Sequence, residues 1–217
     1  MFPIRDHNPS NKFPFVTILL IIITSYVFFL QLTSVDFEAF IFQYALVPST
    51  VNFTNFATLL PFIYSIFLHG GWLHIISNMW FLWIFGDNIE AHLGHIKYLI
   101  FYLFCGIAAG LIQYVFNSSS EIPMLGASGA VAGVLGGYLV LYPGHKIDTL
   151  IPTFGAFMTR VQIPASVMLI YWFVIQLFSG VGSIGMQDVG GVAFWAHVGG
   201  FAAGWILTHI SVIKRTY

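Results

Sequence analysis

The sequence predicts an all-α membrane protein, a bundle of six transmembrane helices with an extended first outer loop. Three observations predict it. Of the 217 residues, 58% are hydrophobic and only 7% are charged, against roughly 25% charged in an ordinary soluble domain. Apolar stretches of membrane-spanning length recur along most of the chain. Once six spans are drawn, all seven Lys and Arg residues fall on one side, as the positive-inside rule requires. The same arithmetic excludes a soluble enzyme, a nucleic-acid binder and a disordered segment. A net charge of −1 gives no pull toward an anionic partner. One cysteine, Cys105, excludes a disulfide framework or a cysteine zinc cluster within the chain.

The first span is Phe15–Leu32, an apolar run preceded by Arg5 and Lys12. No small-x-small cleavage site follows it, so it is a helix rather than a signal peptide. Leu59–Leu68 is apolar but short and contains Pro61, which suits an interfacial or re-entrant piece. Further spans fall at about 72–88, 96–116, 124–142, 161–179 and 191–213. The loops near 33–58, 117–123 and 180–190 hold Asp36, Glu38, Glu121 and Asp188 but no Lys or Arg. Residues 1–217 therefore read as a single membrane domain, a short cytoplasmic tail over about 1–13 and a bundle over about 14–213. Both termini are expected in the cytoplasm, with a bacterial inner membrane as the setting. Gly126, Gly129, Gly133 and Gly137 in the fourth span, and Gly200 with Gly204 in the sixth, follow helical spacing. Small residues at this period let membrane helices approach closely.

In so apolar a chain the informative residues are polar ones placed inside spans. His74 and Asn78, Ser128, and His197 lie on the second, fourth and sixth spans, all of which run inward from the outer face. At ~1.5 Å per residue they share one depth, roughly 5–10 Å below the outer rim, with Asn78 a turn deeper. The chemistry open to such a set is acyl transfer. A serine hydroxyl needs a neighbouring base, and a neutral histidine is the usual one. His74 and Asn78, spaced i, i+4, share a helix face and can both donate to a developing oxyanion. Each residue also has a structural reading: a serine back-bonded to its own helix, a packed histidine, a polar clasp between helices. Convergence from three spans favours the chemical one. No acid accompanies His197 within its span, and Asp188 belongs to the preceding loop, so a Ser–His dyad is expected rather than a triad. An HExxH zinc site, a paired-aspartate site and a P-loop are all missing from the sequence. No cofactor is expected.

At these residues the sequence resembles the rhomboid family of intramembrane serine proteases. The likeness runs from about Phe67 to Gly204, carried by Phe67-Leu68-His69-Gly70-Gly71-Trp72-Leu73-His74 with Asn78, by Gly126-Ala127-Ser128-Gly129, and by Ala196-His197-Val198-Gly199-Gly200 with Gly204. The resemblance implies Ser128 as nucleophile, His197 as general base, and His74 and Asn78 as oxyanion donors beside the Ser128 backbone N–H. It implies single-span membrane proteins as substrates, cleaved within or beside the bilayer, with membrane lipid as the surroundings. Where many members carry an aromatic residue packing on the catalytic histidine, this chain has Ala132, so another side chain must hold the His197 ring. The Trp-Arg pair found in many members' first outer loop is missing between Leu32 and Pro61. The glycine-containing loop at 180–190 is expected to cap the site. The competing readings are a catalytically inactive rhomboid-like binder of membrane proteins and a solute or proton pathway. Intact Ser128 and His197 argue against the first, and missing internal repeats against the second.

Overall fold

A computed structural model describes residues 2–8, 10, 12–153, 158–183 and 193–216, of which 214–216 by backbone alone. The chain opens with strand β1 (Phe2–Asp6) and helix α1 (Phe15–Thr33). Helix α1 starts after Pro14 with no side-chain cap of its own. Its orphan N–H groups are met from a distance: Val16 and Thr17 donate to the buried Glu90 carboxylate at 2.7 and 2.8 Å. Next come α2 (Phe37–Tyr44), capped by the Asp36 carboxylate, and α3 (Pro61–Tyr64), flanked by 3-10 turns. Helices α4 (Trp72–Leu93), α5 (His95–Phe116) and α6 (Ser128–Leu141) follow, then strands β2 (Lys146–Pro152) and β3 (Met158–Pro164). Helices α7 (Ala165–Gly182) and α8 (Phe194–Thr216) complete the chain.

Four helices, α1, α5, α7 and α8, are long and apolar enough to cross a membrane. A fifth candidate is the pair Phe56–Phe67 and Trp72–Leu93, bent by 80°. Such a bend is that of a broken span or of a re-entrant loop. Helix α6 is shorter, 14 residues, and every residue from Gly129 to Tyr138 is buried. At ~1.5 Å per residue it reaches about 21 Å. Helices α4, α5, α7 and α8 all pack against it.

Three expectations are corrected. The fourth helix begins at Ser128, not near 124. Gly126 takes a φ of +124°, and Met124 pairs with Leu46 in an isolated antiparallel bridge. Gly126 and Ala127 are buried, so protein covers the end of this non-helical stretch. The fifth helix begins at Ala165, because Val161–Pro164 belong to β3 and Pro164 marks the break. The fold is also not purely α. A three-stranded antiparallel sheet, ordered β1-β2-β3, pairs Phe2 with Leu150 and Ile147 with Ile163. Windows of membrane length average over strands this short. Asp148, buried in the centre of the sheet, is bonded by Arg160 and lies 3.0 Å from His7, joining all three strands' chain segments.

Two ends of the bundle are thereby distinguished. Arg5, Lys146 and Arg160 lie in the sheet, Lys12 Nζ donates to Ala91 O at 2.9 Å, and Lys97 opens α5 beside them. The opposite end gathers the start of α4, α6 and α8. Between them α6 and α8 run parallel with their backbones touching. A Cβ at Gly200 would lie 1.9 Å from Gly129 O, and one at Gly204 1.9 Å from Gly133 O. Helix α5 packs on the other side of α6, with Ala109 against Gly129 and Cys105 against Gly133. Gly129 and Gly133 therefore meet Gly200 and Gly204, whereas Gly126 lies outside α6 and faces His74.

Candidate active site

Ser128 is the first residue of α6, delivered by the turn that Gly126 makes. His197 lies in the first turn of α8. The parallel contact of α6 and α8 sets these two turns side by side, and His197 Nε2 stands 2.9 Å from Ser128 Oγ. On the far side of the imidazole, Nδ1 is 2.7 Å from Gln176 Oε1 on α7. Trp172, one turn earlier on α7, sets its ring 5.7 Å from the His197 ring at 37°. Trp172 is thus the side chain that holds the histidine ring where Ala132 offers no aromatic. Sequence reading passed over Gln176, although an amide inside an apolar span is the same signal that singled out Asn78.

His74 and Asn78 converge on the nucleophile's turn from α4. A Cβ at Gly126 would lie 2.7 Å from His74 Nε2 and 3.7 Å from Asn78 Nδ2, so only glycine leaves these groups their place. Asn78 Nδ2 donates to His69 Nε2 at 3.0 Å, which fixes the amide and leaves its second proton free of that bond. His69 is held in turn by Gln31 of α1: its N–H donates to Gln31 Oε1 at 3.0 Å and its carbonyl accepts from Gln31 Nε2 at 3.1 Å. His69 and Gln31 therefore support the site through Asn78, a role not assigned from the sequence. With no Trp-Arg pair, the segment between α1 and α4 is tied down by this clasp, by the Leu46–Met124 bridge and by Ser49 N donating to Ser120 O at 3.0 Å.

All four predicted residues line one cavity of about 1220 Å³, which Trp172 of α7 and the 117–123 loop also line. A serine hydroxyl on a histidine nitrogen, with side-chain donors opposite, is an arrangement suited to attack on a carbonyl. No carboxylate is bonded to His197 among the described residues. Asp188 and most of the expected cap at 180–190 lie outside the described residues. Gly180 and Gly182 belong to α7, and a Cβ at Gly180 would press on Trp195 at 3.2 Å. Gly180 serves helix packing, then, rather than a loop.

The fold and the cavity define a polytopic helical membrane protein with a half-buried serine–histidine pair between its helices. The family model described as "Rhomboid domain" matches residues 57–214, and the chain belongs to the rhomboid family. Among curated proteins it is similar to RHOMBOID-like protein 5 of Arabidopsis thaliana, 30% identical over 155 residues, 71% of this chain and 45% of that protein. RHOMBOID-like protein 4 of the same plant is 29% identical over 150 residues, 69% of this chain and 33% of that protein. Rhomboid protease GluP of Bacillus subtilis is 31% identical over 120 residues, 55% of this chain and 22% of that protein. The chain thus spans less than half the length of these relatives.

Proposed function

We propose that this chain is an intramembrane serine endopeptidase that cleaves single-span membrane proteins within or beside the bilayer. The observation that carries the reading is the 2.9 Å contact of Ser128 Oγ with His197 Nε2 in a cavity shared with His74 and Asn78. Membership of a family that includes a protease supports it. In the reaction His197 Nε2 takes the Ser128 proton as Oγ attacks the scissile carbonyl. The carbonyl π pair moves to oxygen, where His74, Asn78 and the Ser128 N–H donate to it. Collapse breaks the C–N bond, and the imidazolium gives its proton to the departing amine. Water, deprotonated by His197, then attacks the acyl-serine and releases the second fragment.

A substrate helix hides its carbonyls in its own hydrogen bonds, so it must unwind locally before attack. Helices α4 and α7 flank α6 and barely pack on each other, which makes the gap between them the lateral way in. The six long helices are all read as spans, α6 included, within one domain over 1–217. The basic end then faces the cytoplasm and the cavity the outside, in a bacterial inner membrane. Reporter fusions at both termini should read cytoplasmic; an external readout at either one would overturn that orientation.

The deciding experiment uses the purified protein in detergent with a fluorophosphonate probe. Covalent labelling is expected at Ser128, absent in Ser128→Ala and sharply reduced in His197→Ala, because an unactivated membrane serine is a weak nucleophile. A wild-type protein that neither labels nor cleaves a single-span test substrate would leave an inactive binder as the better reading.

A further inference from the structure

His197 meets α7 at two side chains one turn apart on the same face, Trp172 against the ring and Gln176 on Nδ1. Gln176 is only 9% exposed. A primary amide buried in an apolar helix is costly to desolvate unless its polar atoms find partners. Its carbonyl oxygen has found the nitrogen of the imidazole that does not face serine. Packing alone would be served as well by leucine or methionine at this place.

We propose that Gln176 is a positioning residue that turns the Ser128–His197 pair into a Ser–His–Gln relay, a proposal that rests on the protease reading. An amide oxygen can only accept, so Gln176 Oε1 keeps the imidazole proton on Nδ1. The lone pair is then on Nε2, 2.9 Å from Ser128 Oγ, where a general base needs it. Without the acceptor the ring is free to take the other tautomer, whose Nε2–H cannot receive the serine proton. In a serine-protease triad that wrong tautomer follows when an amide replaces the orienting carboxylate and turns its N–H to the ring; here it is the amide oxygen that faces Nδ1. As the imidazolium forms, the same oxygen bonds to the proton it already holds, so the neutral relay needs no reorganisation. The surroundings of His197 fit a neutral partner. Helix α6 brings Ser128, α7 brings Gln176 and Trp172, and α5 brings Gln113, whose Oε1 accepts from Ala196 N at 3.2 Å. The titratable neighbour is His74 on α4. No carboxylate faces the ring from these elements among the described residues.

The test measures fluorophosphonate labelling of Ser128 and cleavage of a single-span test substrate across a range of pH, for wild type, Gln176→Leu and Gln176→Glu. Leucine fills the space but cannot accept, so labelling and kcat should both fall, on the order of the ~10–100-fold cost of losing the outer partner of a metal-bound histidine. KM should stay close to wild type. Glutamate keeps an acceptor at the same reach, so it should restore most of the turnover. Its charge favours the imidazolium, so the acid limb of the pH–rate profile should move up by about 1–3 pH units. Wild-type rates in folded Gln176→Leu would overturn the relay and leave the protease reading standing. Equal loss in both variants with an unmoved acid limb would also overturn it, reducing Gln176 to packing. If Gln176→Leu does not fold, the acid limb of Gln176→Glu decides alone. A wild-type protein without labelling or cleavage would remove the protease reading and the relay together.

Discussion

Replacing Gly204 by alanine tests the contact on which the site's geometry depends. A Cβ there would lie 1.9 Å from Gly133 O and 2.5 Å from Gly133 C, whereas real Cβ contacts essentially never fall below 3.0 Å. Both obstacles are backbone, so no side chain can rotate away. Helices α6 and α8 must part by about 1.1 Å along that line. Overpacking of this kind costs about 1–3 kcal/mol, and a gap of this size forfeits a quarter to a half of the dispersion at each opened contact. On the scale of proteins of this size that lowers the unfolding temperature by roughly 2–12 °C. The same displacement acts on Ser128 and His197, which ride on the same two helices. Their 2.9 Å contact would open to about 4 Å, beyond hydrogen-bonding range. A misplacement of ~1 Å can cost ~10²-fold in rate, so fluorophosphonate labelling of Ser128 should slow about a hundredfold. Gly200→Ala, whose Cβ would sit 1.9 Å from Gly129 O, should behave alike. Gly144→Ala, with nothing within 4 Å, is the control and should match wild type. Wild-type unfolding temperature and labelling in Gly204→Ala would refute the backbone contact and the reasoning built on it.

Three further outcomes are expected. Asn78→Ala and His74→Ala should each lower kcat by ~10²–10³ with little change in KM, the usual loss for one oxyanion donor; unchanged turnover in a folded variant would return that residue to the structural clasp. Glu90→Ala strips the acceptor from Val16 N, Thr17 N and Thr17 Oγ; with each buried donor left unpaired costing about 1–3 kcal/mol, thermal unfolding should drop well below that of Glu90→Gln. Asp148 and Asp6 should respond to pH with opposite signs. The Arg160 guanidinium, then His7, holds Asp148 well below the usual carboxylate range, so its stabilisation is present above the unfolded value of ~3.9 and is lost as pH falls through the folded value. Burial raises Asp6 against the hydrogen bonds from Tyr138 and Asn88, so its penalty grows as pH climbs through its folded value. At neutral pH Asp148→Asn should therefore unfold at lower temperature and Asp6→Asn at higher temperature than wild type. Shifts of the same sign in a pH series would contradict this account.

Much of the site was legible because membrane chemistry makes polar residues conspicuous. Ser128, His197, His74 and Asn78 stand out in apolar helices, and their places near helix starts on alternate spans predicted that they would meet. His69, Gln31 and Gln176 escaped notice for a definite reason. Gln176 and His69 each meet a site residue and Gln31 acts through His69, and neither spacing nor composition says which polar side chain will find which partner. The sheet was missed because strands of 5 and 7 residues leave no mark in a pattern read at membrane length. The early start assigned to the fourth helix has a similar cause: hydropathy continues through Met124–Ala127, while the positive φ of Gly126 ends the helix there.

The sequence by itself determined the membrane class, the order of the long helices, the gathering of positive charge at one end and the four residues of the cavity. Those follow from transfer of side chains between water and lipid, which depends on composition and helical period alone. Tertiary structure decided the distances and the partners: Ser128 on His197, Gln176 on the opposite nitrogen, Trp172 on the ring, Gln31 and His69 behind Asn78. It decided them through the backbone contact of α6 and α8, where the missing Cβ atoms of Gly200 and Gly204 let two helices close until a hydroxyl and an imidazole meet. Helical period can place glycines on a face, but only packing brings that face against another.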